Sequence, residues 1–304
     1  MTKILITGIA GFIGSNTADY LLKEGYEVVG LDNFSTGHRE NLESFKEDID
    51  FFEADITDIE VVRKAMRGVD YVIHYAALPS VPYSVANPRE THEVNVNGTL
   101  NILLAARDAA VKKLVFASSA AVYGDTEELP VTEKTMLNPL SPYAAHKIIG
   151  EYYCKLFNNA YGLRTTALRY FNVYGKNQDP SAEYAAVVPK FMSLLKHGKQ
   201  PIIYGDGEQT RDFINVKDVI RANLLALKSK ESDGKVYNIA SGKKISVLEL
   251  LKNMNLALNT DIKPIFEEPR AGDVKHSYAS IEKAKEELKF KPGTSLKKGI
   301  SEML

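Results

Sequence analysis

Gly8, Gly11 and Gly14, spaced three apart in the run TGIAGFIG, constrain this chain more than any other feature. They follow the apolar run Lys3–Thr7 and open an amphipathic segment over residues 13–23. The spacing predicts a strand that turns tightly into a helix beginning near Phe12 and Ile13. Glycine permits the tight turn, a close approach of the backbone to a phosphate and close helix–strand packing. The helix start adds free N–H groups and a partial positive charge, so the turn suits a dinucleotide's pyrophosphate. The spacing is Gly-x-x-Gly-x-x-Gly, not the more familiar Gly-x-Gly-x-x-Gly, and by itself it also fits a purely structural turn.

Downstream, short apolar runs alternate with amphipathic ones. Strands are expected at Lys3–Thr7, 27–31, Asp50–Glu53, 71–75, 114–117 and 165–169, and helices at 13–23, 59–66, 94–109 and 143–161. This alternation predicts an α/β fold, a doubly wound parallel sheet of Rossmann type with helices on both faces. After Tyr174 the texture changes, with Gly, Pro and Asn clustered in 175–180. A nucleotide-binding domain over 1–174 and a smaller substrate lobe over 175–304 are expected, with a soft boundary and some later segments returning to the first sheet. The 304 residues suffice for that division.

Composition excludes several classes. A formal net charge of −1 provides no general attraction to nucleic acid or an anionic membrane. The lone Cys154 rules out an intrachain disulfide and a cysteine-based zinc cluster, and it reads as a packing residue in a helix. No metal site is expected. The N-terminal apolar run is too short for a signal peptide or a membrane span. A cytoplasmic setting is expected.

Asp32 ends the second expected strand, about 20 residues beyond the glycine turn, where an acid can bind ribose hydroxyls. A carboxylate there repels a 2′-phosphate, and the first arginine after it is Arg39. NAD is therefore expected over NADP. Asn33, the Asp55-Ile56 pair after the third strand and the Tyr75-Ala76-Ala77 run after the fourth are candidate cofactor contacts.

Tyr143 and Lys147 lie one helical turn apart, which places both on one helix face. An ammonium there favours the phenolate and prepares Tyr143 to take a proton from an alcohol. Ser118 and Ser119 end the fifth strand at the carboxyl edge, where ligands of such sheets bind. A serine hydroxyl there can bond the reacting oxygen, although serines also simply end strands.

Together with NVNGT at 95–99, SSAAVYG at 118–124 and RYFNVYG at 169–175, these motifs resemble the extended short-chain dehydrogenase/reductase family. Within it the chain is similar to nucleotide-sugar 4-epimerases of the UDP-glucose and UDP-N-acetylglucosamine type, over nearly its whole length. The resemblance implies Tyr143 as base, Lys147 as its partner and a ligand of NAD ribose, and Ser119 on the sugar 4-oxygen. It places Asn95 and Ser118 at the cofactor and Asn172 at the nucleotide diphosphate. It further implies Arg211 and Arg270 as diphosphate clamps, Asp273 on the uridine ribose, and Ser277 as a wall of the sugar pocket. Read alone, Arg211 beside Asp212 is equally a surface ion pair.

The implied reaction is NAD-dependent 4-epimerisation of a UDP-hexose through a transient 4-keto sugar, in a homodimer joined by a four-helix bundle. Related 4,6-dehydratases carry Asp-Glu directly after the catalytic Ser/Thr, and UDP-glucuronate decarboxylases carry Glu at the second of those places. This chain has Ala120 and Ala121. A non-catalytic sensor is the remaining alternative, one that would have no use for Ser119, Tyr143 and Lys147 together. The small Ser277 and the run Gln178-Asp179-Pro180 favour N-acetylated sugars, with plain hexoses still admitted.

Overall fold

The computed structural model describes residues 1–180, 186–269 and 274–304. Strands β1 (Lys3–Thr7), β2 (Glu27–Asp32), β3 (Asp50–Glu53), β4 (Tyr71–His74), β5 (Lys113–Ser119) and β6 (Thr165–Tyr170) form one parallel sheet with Lys235–Ile239. Three short strands precede that last one: β7 (Asn172–Tyr174), β8 (Ile202–Tyr204) and β9 (Thr210–Arg211). With β10 (Phe213–Asn215) also before it, Lys235–Ile239 is β11, and the spatial order is β11-β6-β5-β4-β1-β2-β3. The chain runs outward from β1 in one direction and then restarts at β4 in the other. A crevice therefore opens at the carboxyl ends between β1 and β4, where ligands of such sheets bind.

Helices cover both faces, as near-continuous apolar strands require. On one face α1 (Phe12–Lys23) packs through Ala18 and Leu21, in a core shared with Val219, Ala222 and Ala226 of a later helix. On the other face α2 (Ile59–Ala65) packs against the sheet in a second core with Ile102, Leu103, Cys154 and Phe157. Local signals set the helix ends. Asp58 caps α2 by accepting from the Glu60 and Val61 amides. Ser141 and Pro142 start the helix Pro142–Tyr161, and Gly162 ends it with φ +70°.

The expected helix over 94–109 is interrupted. Short helices α3 (Val81–Ala86) and α4 (Pro88–His92) lead into a π-helical turn, Glu93–Gly98, before α5 (Thr99–Asp108). The wider turn lets buried Asn95 reach sideways, accepting from Leu78 N at 2.8 Å and donating to Leu78 O at 3.1 Å. Such turns recur at functional sites. The long helix Pro142–Tyr161, α6, follows.

Residues beyond 174 build a second, smaller core and also complete the sheet. Helix α7 (Val187–Lys196), the next helix α8 (Val216–Lys228) and α9 (Val247–Leu258) divide the work. Val188, Phe191, Leu250 and Met254 of α7 and α9 pack with Ile203 and Phe213 in the small core, whereas α8 lies on the sheet beside α1. Strand β12 (Ile245–Ser246), the later β13 (Ile265–Glu267) and β14 (His276–Ser277) complete the small sheets. Among the described residues no helix is long and apolar enough to cross a membrane.

The turn after β1 depends on two glycines. Gly8 has φ +71°, and a Cβ on Gly14 would collide with the Gly8 carbonyl oxygen. Because that obstacle is backbone, Gly14→Ala should open the turn and lower stability by about 1–3 kcal/mol. A fall in the urea midpoint with an unchanged denaturant slope is the expected reading.

Candidate active site

The expected cofactor residues converge on the carboxyl ends of β1 to β4. Gly11 precedes α1 and provides no side-chain cap, which leaves the first-turn amides of Phe12, Ile13 and Gly14 open to a ligand. Buried Asp32 closes β2, and its carboxylate accepts from Ala10 N at 2.9 Å and Phe34 N at 2.8 Å. Burial raises its pKa, opposed by the Phe34, Ala10 and Asn33 amides. Each oxygen keeps a lone pair for a further donor.

Around Asp32, Asn33 donates to Asp55 at 2.6 Å, which joins the ends of β2 and β3, and Ile56 is buried beside them. The Arg39 guanidinium lies 4.0 Å over the Phe34 ring and pairs with Glu53. The first arginine after Asp32 is thus engaged with a carboxylate. The Tyr75 ring turns under the sheet, its hydroxyl 3.1 Å from Thr17 Oγ1 and its ring centroid 6.4 Å from that of Tyr170. Its backbone, with Ala76 and Ala77, is what it presents at the strand end. A Cβ on Gly8 would stand 2.8 Å from Ala76 N, so the cradle between the two strand ends exists because that position is glycine.

A buried relay links this edge to the π turn. Thr99 Oγ1 donates to Asn95 O at 2.7 Å, and Thr99 Oγ1 and Thr7 Oγ1 flank the two nitrogens of His74 at 3.0 and 2.7 Å. Because the Thr99 proton is committed to Asn95, His74 donates from Nε2 and accepts at Nδ1 from Thr7. Thr7 Oγ1 in turn accepts from Ala76 N at 3.2 Å. Burial, aided by the Lys147 charge, pushes His74 down to about 3, so it remains a neutral relay.

Ser119, Tyr143 and Lys147 come together on the other side of the crevice. Ser119 is the one residue of β5 that is not fully buried, and its Oγ accepts from Ala121 N at 3.1 Å. Tyr143 stands in the first turn of α6, and its phenol faces Ser119. Lys147 Nζ donates to Ala117 O at 2.7 Å and lies 5.6 Å from the centre of the Tyr143 ring. Burial pushes Lys147 down to about 8, with Glu151 and then Cys154 opposing.

One expectation needs correction here. The Tyr143 phenol sits above its ordinary value because burial outweighs the opposing influence of the Ser119 hydroxyl. Lys147 does not reverse this, since its ammonium is directed at the Ala117 carbonyl.

The second-half residues are placed as follows. Arg211 on β9 and Ser277 on β14 are register partners in one small sheet, and Arg211 donates to Thr210 O at 2.9 Å. Asp212 is not at the surface. It is fully buried and accepts from Ser241 N at 2.7 Å, Ser241 Oγ at 2.6 Å and Gly242 N at 3.0 Å. Asn172, exposed at the start of β7, donates to Asp212 O at 3.1 Å. Arg270 and Asp273 lie outside the described residues.

Several functional placements had no usable signal in the chain. Ser84 Oγ accepts from Tyr143 N at 3.1 Å and fixes the start of α6 across 59 residues of sequence. Ser118 turns away from the crevice and donates to Glu151 at 2.5 Å. Glu151 itself could have been noticed, since it falls one turn beyond Lys147 on the same helix face.

Comparison with known proteins identifies the family. The model of the NAD dependent epimerase/dehydratase family matches residues 4–240. A putative UDP-glucose 4-epimerase of Methanocaldococcus jannaschii is 44% identical, over 99% of this chain and 97% of its own. The UDP-glucose 4-epimerase of Thermotoga maritima, solved with UDP-glucose, superposes with a TM-score of 0.94 at 39% identity, covering 99% of this chain and 97% of that one. The UDP-N-acetylglucosamine 4-epimerase of Methanobrevibacter ruminantium, solved with UDP-N-acetylmuramic acid, gives 0.95 at 40%, covering 99% and 96%. The chain belongs to the NAD-dependent epimerase/dehydratase family.

With its carboxylate removed, Asp32→Asn should weaken NAD binding about 10- to 100-fold, the worth of a hydrogen bond to a charged group. The penalty for NADP should be smaller, because a repulsive charge is lost with the acceptor. Calorimetric titration of nucleotide-stripped protein with each cofactor reads both effects.

Proposed function

We propose that this member of the family interconverts UDP-hexoses that differ in configuration at C4. The observation that carries the reading is the cluster of Ser119, Tyr143 and Lys147 at the carboxyl edge of the sheet, across the crevice from the Gly8–Asp32 cradle. Bound NAD would accept a hydride from the sugar C4 and later return it, so no net oxidation results. Phe12, Ile13 and Gly14 would hold its pyrophosphate by their amides, Asp32 its ribose hydroxyls, and Lys147 its second ribose.

At the sugar, Tyr143 takes the proton of the 4-hydroxyl and gives it back, while Ser119 hydrogen-bonds that same oxygen. Burial leaves the phenol a poor base until further positive charge faces it, so the base is primed only in the loaded site. Ala120 and Ala121 form the turn directly after Ser119 and have no proton to transfer. That favours epimerisation over elimination or decarboxylation, which need an additional acid or base there. Arg211 and Arg270 would grip the diphosphate, with Asn172 beside it and Asp273 on the uridine ribose, while the sugar end stays loosely held so that either face can meet the cofactor.

The substrate we favour is N-acetylated, with plain hexoses also accepted. Ser277 is half-buried beside Arg211 and leaves room for a 2-acetamido group. The expected assembly is a homodimer through α5 and α6, because α6 keeps Tyr152, Leu156 and Tyr161 exposed at 66, 49 and 52%. Light scattering should give twice the chain mass at micromolar concentration; a monomer would refute this arrangement.

Proton NMR of UDP-N-acetylglucosamine, UDP-glucose and UDP-glucuronate incubated separately with protein and NAD tests the activity. The galacto epimer should appear and reach the same ratio from either side, fastest with the N-acetylated pair. Three unchanged spectra would sink the reading. Tyr143→Phe should lower kcat about a hundredfold or more. Ser277→Tyr should reduce turnover of the N-acetylated sugar relative to UDP-glucose, and an unchanged ratio would remove Ser277 from the pocket wall.

A further inference from the structure

Behind the proton-handling residues lies a buried ion pair with no part in the mechanism so far. Glu151 on α6 and Arg169 on β6 are 6 and 4% exposed, and Arg169 binds the carboxylate with both Nε and Nη2, at 2.8 and 2.6 Å. Arg169 Nη1 continues to the Tyr123 hydroxyl at 2.8 Å, which donates to Asn238 at 2.6 Å on β11. The carboxylate has a third donor, Ser118 Oγ at 2.5 Å. Ser118 is the immediate neighbour of Ser119, and Glu151 lies one helical turn beyond Lys147, which lies one turn beyond Tyr143. The single carboxylate of Glu151 therefore touches the strand that carries one reacting group and shares a helix face with the other two.

We propose that Glu151, held by Arg169 and latched to Ser118, is a positioning residue that seats Lys147 and supplies the counter-charge for its ammonium. This rests on reading Ser119, Tyr143 and Lys147 as the proton-handling site. The other groups around Lys147 carry no negative charge to serve in that role. On α6, Lys147 is faced by Tyr143, His146, Glu151 and Cys154; from β4 by His74; from β5 by the Phe116 ring and the Ala117 carbonyl; and Arg169 approaches Glu151 from β6. His74 and His146 are pushed down to about 3 and about 4, so both are neutral at working pH. Burial pushes the Cys154 thiol up, so it is neutral too. Among these groups Glu151 is the carboxylate, and its charge opposes the burial that draws Lys147 down to about 8.

The sign of the consequence is fixed. Removing the carboxylate takes away the opposing effect, so Lys147 loses its proton at lower pH. If activity needs the ammonium, the alkaline limb of kcat moves to lower pH with it. Glu151→Gln alone would leave the Arg169 guanidinium buried without a counter-charge and could fail to fold. The double variant Glu151→Gln/Arg169→Gln removes both charges and avoids that problem. Glu151→Asp keeps the charge, and Ser118→Ala cuts only the latch.

The direct measurement follows the Lys147 13Cε shift against pH in nucleotide-stripped protein, assigned with Lys147→Arg, alongside the pH profile of kcat for UDP-sugar epimerisation. The double variant should titrate below the wild type, with its alkaline limb displaced likewise, though less than in Glu151→Gln because the Arg169 charge leaves with the carboxylate. Glu151→Asp should restore most of both. Ser118→Ala should keep the titration and lower kcat severalfold at unchanged KM, since Ser119 loses its support. A folded double variant that titrates with the wild type would overturn the proposal, as would a Glu151→Asp limb displaced as far as that of the double variant, or Ser118→Ala with wild-type kcat. If the wild type epimerises no UDP-sugar, the functional reading falls, yet the Lys147 titration still decides the counter-charge.

Discussion

A carboxylate and a guanidinium buried against each other fix where α6 lies on the sheet. Glu151 and Arg169 have both been taken out of water, which costs several kcal/mol per ion and is offset only when the geometry is good and the remaining hydrogen-bonding positions are filled. Here they are filled, by Ser118 on one side and by Tyr123 and Asn238 on the other. Such a pair contributes little net stability compared with apolar replacements. What it supplies is a single register, because a helix displaced by one turn would strand two charges in the core. Tyr143 and Lys147 ride on that helix, and their distance from Ser119 follows from it.

The cofactor side is organised by neutral hydrogen bonds. The relay from Ala76 through Thr7, His74 and Thr99 to Asn95 joins the β1 and β4 strand ends to the π turn. Asn95 then holds the Leu78 backbone that leads toward α3. Ser84 of α3 returns to accept from the Tyr143 amide. Hydrogen bonds and the chain segment from Leu78 to Ser84 thus join the Gly8 turn to the start of α6. A buried network of this kind holds one arrangement firmly because any broken link leaves an unpaired polar group.

The second half is anchored rather than hinged at its root. Asp212, between Arg211 and Phe213, collects the Ser241 and Gly242 amides and the Ser241 hydroxyl. Its neutral form is favoured by burial and its charged form by those donors. Strand β14 continues into Ala279, which bridges Val131 in the segment after β5. Residues 211 and 277, far apart in the chain, are therefore held in register within one small sheet.

The chain by itself determined the alternation of strands and helices, the glycine turn, the acid at the end of β2, and the Ser119, Tyr143 and Lys147 trio. Each is a local property: periodicity, a conformational demand met by glycine, or spacing on one helix face. Short-range physics decides such features, so they can be read without the fold. The break at Glu93–Gly98 escaped because a π turn of six residues running into a helix is too short to disturb the apolar pattern of the segment. The inward turn of Ser118 and the support of Tyr143 by Ser84 escaped because those partners lie 33 and 59 residues away, and only the folded packing selects among equally plausible hydroxyls. The protonation preferences were likewise left to the tertiary structure, because burial, which no sequence spacing reports, outweighs the Ser119 hydroxyl at Tyr143 and the Glu151 charge at Lys147.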